Sequence, residues 1–587
     1  MRISLLGTML AAAVAATETP SAPVAPPAEE GPAPIRIAYN YCTLSYTFAF
    51  YSREEWTGEL DRLEKAGYNV ALLTDGTFKV WELTLRELGY GDKEIFDFLP
   101  DECARAWWLM GNLTGEGGPL DQATVDEDGE RGRWLAAEMR RRGIEPILQG
   151  YTGMMPLAHP GTIPQGLWSV YERPPILDPT GAEYAKVAAI WHRNLEKVYG
   201  IKPKYLAGDL FHEGGKSGGI DVTAATKAVQ AAQQAAFPGV TWVVQAWQAN
   251  PTKEVRAGLD PRFTLVEALV KDMSAFDAED SVCKIEFGDL PWVWCEVLNF
   301  GGNNGLYGNL KTFSRLGRAA KGPGAKTFRG YGLLSEGLFT NPVCYDLFEE
   351  MMMRPKGSEM TARELRNWLH TWVANRYGFG DTRAFDAWHI LENTVYACPR
   401  CQEGAVENVI CAEPAWDVDS VSTWGPKLGI WYEPWKLHDA IETLLAVLKE
   451  RIADGAIPEG PELENMAYDI FDLTRQIGAD RLRAIAPDLK AHPEARVNFI
   501  EMAKIMAPDP DNVPTAFRLS TYEAQARRRA GERGVKALRR MITTWTDPKY
   551  GVTTLSDYAN REYPELIRDW YIPRWERFFA KEKEERR

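Results

Sequence analysis

The chain of 587 residues is 45% hydrophobic and 25% charged, an ordinary globular composition with apolar material for a large core and more than one domain. Its 67 basic and 82 acidic residues leave a net charge of −15 with no basic stripe, which excludes a typical nucleic-acid partner. Eight cysteines in so long a chain do not make a disulfide scaffold.

At the start, Met1-Arg2 precedes an apolar run from Ile3 to Ala16 that contains Ala13-Val14-Ala15, so residues 1–16 read as a signal peptide. The run is shorter than the about 20 residues that a membrane span needs. Residues 17–34, rich in Pro, Ala and Glu, read as a disordered tether. No later segment is long and apolar enough to cross a bilayer. The expectation is export to the periplasm or the medium, without stable membrane insertion.

From Ile35 to about Gly337, β-rich runs alternate with amphipathic stretches. The predicted strands are Ile35–Tyr41, Asn69–Thr74, Glu145–Gly150, Tyr205–Asp209, Trp242–Gln245, Thr264–Ala268, Trp292–Leu298 and Arg329–Leu334. A helix over Arg53–Ala66 follows from Trp56, Leu60 and Leu63 at helical spacing. Eight such strands predict an α/β fold, a (β/α)₈ TIM-type barrel over residues 35–354. A doubly wound open sheet has the same alternation, but no GxGxxG follows the first strand, which weakens its nucleotide-binding version.

Beyond Arg354 the strand signals fade. Ala362–Arg376, Trp435–Ala453, Glu462–Ile477 and Thr521–Trp545 read as helices of an all-α C-terminal domain over residues 355–587. Within it, Cys398-Pro-Arg-Cys401 and Cys411 are placed for a local disulfide in an oxidising compartment. A zinc site would want a second ligand pair nearby, and the seven histidines show no HxxxH pairing, so no metal or cofactor is expected.

Catalytic side chains of a barrel project from the C-terminal ends of its strands. The fourth predicted strand runs into Asp209-Leu210-Phe211-His212-Glu213-Gly214-Gly215, where Asp209 and His212 could tune the proton affinity of Glu213. The eighth ends in Ser335-Glu336-Gly337, a lone acid in apolar surroundings that must be paired, hydrogen-bonded or functional. The seventh leads into Asn299-Phe300-Gly301-Gly302-Asn303-Asn304-Gly305, whose amides suit hydroxyl and acetamido recognition or simply a tight turn. Among 21 tryptophans, Trp168, Trp247, Trp292 and Trp294 fall near strand ends or loops, where an aromatic face could meet a sugar or the core. Two carboxylates on different strands are the minimum kit for glycoside hydrolysis, although spacing in sequence does not decide between retention and inversion.

The motifs, taken in order, resemble the α-N-acetylglucosaminidase family, glycoside hydrolase family 89. They run from Asn40-Tyr41-Cys42-Thr43-Leu44-Ser45-Tyr46 through Met110-Gly111-Asn112-Leu113, Asp209 to Glu213, Gln245-Ala246-Trp247 and Asn299 to Gly308 to Ser335-Glu336-Gly337. In the helical half they include Arg376-Tyr377-Gly378, Asp472-Leu473-Thr474-Arg475-Gln476 and Tyr571-Ile572-Pro573-Arg574-Trp575. The resemblance implies a barrel with a helical C-terminal domain; the family's usual small N-terminal α/β domain is expected to be missing, since the predicted barrel starts just after the tether. It implies Glu213 as general acid/base and Glu336 as nucleophile of a retaining exo-glycosidase that releases terminal α-linked N-acetylglucosamine. Asn40, Cys42, Tyr46, Trp168, His212, Gln245, Trp247 and Asn299 would surround the sugar, and Trp545 would close the site from the helical domain. The substrate would be a glycan of mucin or glycosaminoglycan type.

Three places depart from the family pattern. Thr77-Phe78 replaces a Gln-Glu pair, Met154 replaces a histidine, and Thr114-Gly115-Glu116 replaces an aromatic-containing segment. Losing hydrogen-bond partners of a sugar hydroxyl can change specificity by orders of magnitude. Two alternatives therefore stand beside the main reading: the same mechanism on another sugar, and a non-catalytic glycan-binding protein on a hydrolase scaffold.

Overall fold

The computed structural model describes residues 33–168, 171–269, 287–338, 340–399, 405–421, 428–455, 460–543, 559 and 561–585. The signal peptide and nearly all of the tether lie outside these residues. Eight parallel strands close a barrel: β1 (Ile35–Ala38), β2 (Val70–Leu72), β3 (Glu145–Gln149), β4 (Tyr205–Ala207), β5 (Thr241–Ala246), β6 (Thr264–Leu269), β7 (Trp292–Glu296) and β8 (Phe328–Leu333). Each strand pairs with its sequence neighbours, and the ring closes because Ile37 pairs with Val70 on one side and Gly332 on the other. Helices packed outside the ring bury both faces of the strands, which is why these read as nearly unbroken apolar runs.

Local signals set the helices. Ser52 caps Arg53–Ala66 in a reciprocal box with Glu55, and Gly67, at φ 83°, ends that helix in a left-handed turn. The first predicted strand is shorter than expected. Tyr39 takes φ 71°, and Asn40 caps a short helix over Tyr41–Tyr46, so Tyr39 and Asn40 leave the predicted strand and Tyr41 begins a helix instead. Trp292 and Trp294 are core residues: the indole of Trp292 donates to the Gly324 carbonyl at 2.9 Å, and Trp294 stacks on Phe348.

After the helix Pro342–Met353, the elements described are helical. Trp435–Ala453 forms as predicted, Glu462–Ile477 extends to Pro461–Ile485, and Thr521–Trp545 becomes Leu519–Ile542. Thr382–Glu392, Pro493–Ile505 and Ile572–Glu585 add helices that periodicity did not separate from their loops. No described helix is long and apolar enough to cross a membrane. Cys401 lies outside the described residues, as does Cys283; Cys398 and Cys411 are buried.

Candidate active site

Glu213 stands just beyond β4. Gly208, at φ 132°, turns the chain away from the strand, and a Cβ there would press on Gln149 and Thr152. Phe211 (φ 60°) and Glu213 (φ 45°) then adopt left-handed backbone, which costs a non-glycine residue about 1–3 kcal/mol and needs support from its surroundings. The carboxylate is the focus of three donors. Asn112 Nδ2 donates to Oε2 at 2.7 Å; Trp247 Nε1 and Gln248 Nε2 donate to Oε1 at 2.8 and 3.3 Å. The side chain keeps 15% of its surface open, enough for a ligand to reach it.

His212 bridges Glu213 to a second acid. Its Nδ1 lies 3.0 Å from Asp209 Oδ2, and its Nε2 lies 3.9 Å from Glu213 Oε2. Burial disfavours the charged ring, but the Asp209 hydrogen bond and the charges of Glu213 and Asp209 more than offset it. His212 therefore holds its proton more tightly than an ordinary histidine, against the opposing charge of Arg173.

Glu336 follows β8 and continues that strand's pairing with β7: Leu334 N donates to Glu296 O and Glu336 N to Leu298 O. The side chain is buried, and Oε2 accepts the Gly301 N–H at 2.7 Å. Gly337 is required here because a Cβ would run into the backbone of Gly302. Cys42 lies beside Glu336. Burial first, then the charges of Glu336 and Glu213 and a hydrogen bond with Glu336, push its thiol well above the usual cysteine range.

The predicted sugar-site residues divide into two groups. Cys42, His212 and Trp247 touch the carboxylates directly, and Trp247 also stacks on Phe300. Asn40, Asn299 and Gln245 point their polar groups into the protein. Asn40 caps its helix through Oδ1 and donates Nδ2 to Leu334 O at 2.6 Å. Asn299 donates to Gly337 O and Tyr345 Oη and accepts from Asn341, so its amide supports the Glu336 loop. Gln245 donates its backbone N–H to Asp209 and its side chain hydrogen-bonds Glu267 inside the barrel. Burial, with the nearby charge of Asp209, pushes Glu267 up to about 8 against that hydrogen bond. Tyr46 packs edge-on against Trp107 beneath the Arg561 guanidinium. Trp168 sits in a hairpin of Leu167–Trp168 with Tyr171–Glu172, and Trp545 lies outside the described residues.

The three departures occupy particular places. Thr77 and Phe78 are fully buried: Thr77 bonds Thr74 O, and Phe78 lies under the Arg105 guanidinium with its N–H on Asp128. Met154 lines a small cavity with Arg173, Asp209 and His212. Glu116, from the third departure, meets Arg540 of the helical domain at 3.0 Å. Sequence reasoning passed over Gln248, Arg173 and Asn112; only Asn112 had a signal, its place in the Met-Gly-Asn-Leu motif.

Residues 36–355 match the family model described as the α-N-acetylglucosaminidase TIM-barrel domain, and residues 368–587 match the model of its C-terminal domain. The human α-N-acetylglucosaminidase is 27% identical over 591 aligned residues, covering 94% of this chain and 75% of the relative. A family 89 glycoside hydrolase from Clostridium perfringens, solved with 2-acetamido-1,2-dideoxynojirmycin, is 27% identical with a TM-score of 0.83. That match covers 94% of this chain and 63% of the other, so the chain spans under two thirds of the bacterial protein's length. A Clostridium perfringens variant with two glutamates changed to glutamine, solved with its substrate GlcNAc-α-1,4-galactose, matches at the same TM-score and identity, over 93% and 62% of the two chains.

Proposed function

Because the chain belongs to the α-N-acetylglucosaminidase family of glycoside hydrolases, we propose that it is a retaining exo-glycosidase releasing terminal α-linked N-acetylglucosamine, with Glu213 as acid/base and Glu336 as nucleophile. The observation that carries this reading is geometric: Trp247, whose indole donates to Glu213, stacks on Phe300, and the next residue, Gly301, donates to Glu336, so the acids after β4 and β8 share one set of neighbours at the barrel mouth.

The chemistry follows from the substrate. In an α-N-acetylglucosaminide the 2-acetamido group lies on the same face as the departing oxygen, so it cannot attack from behind and the protein must supply the nucleophile. A Glu336 oxygen forms a bond to the anomeric carbon while protonated Glu213 gives its proton to the leaving oxygen. Glu213, now a carboxylate, takes a proton from the water that displaces Glu336 with a second inversion. The Gly301 N–H fixes one oxygen of Glu336 and so orients the other. The donors on Glu213 hold its two oxygens in place through both steps.

Export is proposed from residues 1–34, and a glycan of mucin or glycosaminoglycan type as the natural substrate. The test is hydrolysis of α and β aryl glycosides of N-acetylglucosamine, N-acetylgalactosamine and glucose by the wild type, Glu213→Gln and Glu336→Gln. Activity on the α-N-acetylglucosaminide alone, lost by at least about 1,000-fold in Glu336→Gln, is expected. Activity confined to another glycoside would point to altered specificity, and sugar binding without turnover by the wild type would replace the enzyme reading altogether.

A further inference from the structure

We infer that Arg173 is the positioning residue of the acid/base, and that it couples the placement of Glu213 to the seating of the hairpin carrying Trp168. The inference deepens the proposed function and rests on the assignment of Glu213. Arg173 directly follows the hairpin strand Tyr171–Glu172, and its backbone N–H closes onto Gly166 O at 3.1 Å. Its side chain runs behind the site and is almost wholly buried.

The guanidinium makes four hydrogen bonds, all to groups that set the position of Glu213. Nη2 donates to the Glu213 carbonyl at 2.7 Å, and Nη1 donates to the His212 carbonyl at 2.9 Å. These are the carbonyls of the turn in which Phe211 and Glu213 hold left-handed backbone, and charge-assisted bonds are the kind that can hold it there. Nη1 also donates to Gly111 O at 3.2 Å and to Asn112 Oδ1 at 2.9 Å. With its oxygen turned to a cation, the Asn112 amide must present Nδ2 to the other side, where it meets Glu213 Oε2 at 2.7 Å. One side chain therefore fixes both the backbone from which the acid/base projects and the donor that orients its carboxylate. It does not touch the carboxylate itself.

A misplaced acid/base has a kinetic signature that lost stability or lost sugar binding lacks. Protonation matters for a poor leaving group and little for one that departs as a stable anion. Base assistance in the second step becomes dispensable when an anionic nucleophile such as azide replaces water. The experiment measures kcat/KM for aryl α-N-acetylglucosaminides from the unsubstituted phenol to dinitrophenol, with and without azide. It compares wild type, Glu213→Gln, Arg173→Met and Arg173→Lys, each checked for a cooperative melt.

For Arg173→Met the expected loss is about 10- to 100-fold on the phenyl glycoside and under about 3-fold on the dinitrophenyl glycoside, with azide raising kcat on the latter. Arg173→Lys, which cannot bridge two carbonyls and an amide, shows the same pattern more weakly and serves if the methionine variant does not fold. An equal loss across the series, or none, in the folded variant overturns the role of Arg173. If Glu213→Gln itself shows no leaving-group dependence while the wild type turns over, the acid/base assignment fails first. A wild type inactive on every substrate overturns the proposed function and this inference with it.

Discussion

At Glu213 the arrangement is one carboxylate held by an indole and two amides, with the His212 imidazole 3.9 Å away as the neighbour that can be replaced without emptying the space. Burial disfavours a charged His212 ring, yet the Asp209 hydrogen bond and the charges of Glu213 and Asp209 raise its proton affinity above that of an ordinary histidine. His212→Gln keeps a donor for Asp209 but removes the ring that lies between Asp209 and Glu213. A fall in kcat of about 3- to 30-fold on aryl α-N-acetylglucosaminides, with KM within about 3-fold, is expected. An unchanged kcat would show that His212 has no part in placing Glu213.

Among elements, the short helix Tyr41–Tyr46 is where stability and catalysis meet. Asn40 caps it and binds Leu334 O, and Thr43 Oγ1 donates to Ser335 O, so the helix that carries Cys42 is tied to the two residues before Glu336. Asn40→Ala removes the cap and leaves a buried carbonyl without its donor. A loss of about 1–2 kcal/mol in denaturant unfolding is expected. Because Asn40 points into the protein, its removal should lower kcat through the Glu336 loop and leave KM for a small aryl glycoside within about 3-fold. A variant with intact kcat and a greatly raised KM would return Asn40 to the sugar-binding set that the family resemblance implied.

Over the whole molecule, the barrel loops beside the site are finished by the helical domain. Asn303 Nδ2 donates to Glu407 at 2.9 Å, Leu306 N to Gln476 at 3.0 Å and Glu562 N to Asn304 at 3.1 Å, and Arg561 binds the Gly302 carbonyl. The helix Leu519–Ile542 brings Arg533 to Glu102 and Arg540 to Asp101, two acids buried in the barrel half. Deleting the helical domain strips these contacts and uncovers the loops and apolar surface it packs on, a large loss for a marginally stable fold. Residues 33–355 produced alone should therefore be insoluble or melt without a cooperative transition. A cooperative melt of that fragment would show that the barrel half is self-sufficient.

Periodicity and strand-end chemistry in the sequence determined the eight barrel strands, the helical second half and the two acids worth testing, because each is local: apolar runs mark buried strands, and a carboxylate beside glycines marks a turn. Tertiary structure alone decided what the amides do. Asn299 and Asn112 are the same residue type in glycine-flanked loops, yet one is spent on the Glu336 loop and the other on the Glu213 carboxylate. Arg173 carried no signal, since its role lies in carbonyls 39 and 40 residues away in the chain. A hydrogen bond's partner depends on which distant backbone groups converge on it, and only the closed barrel brings those groups together.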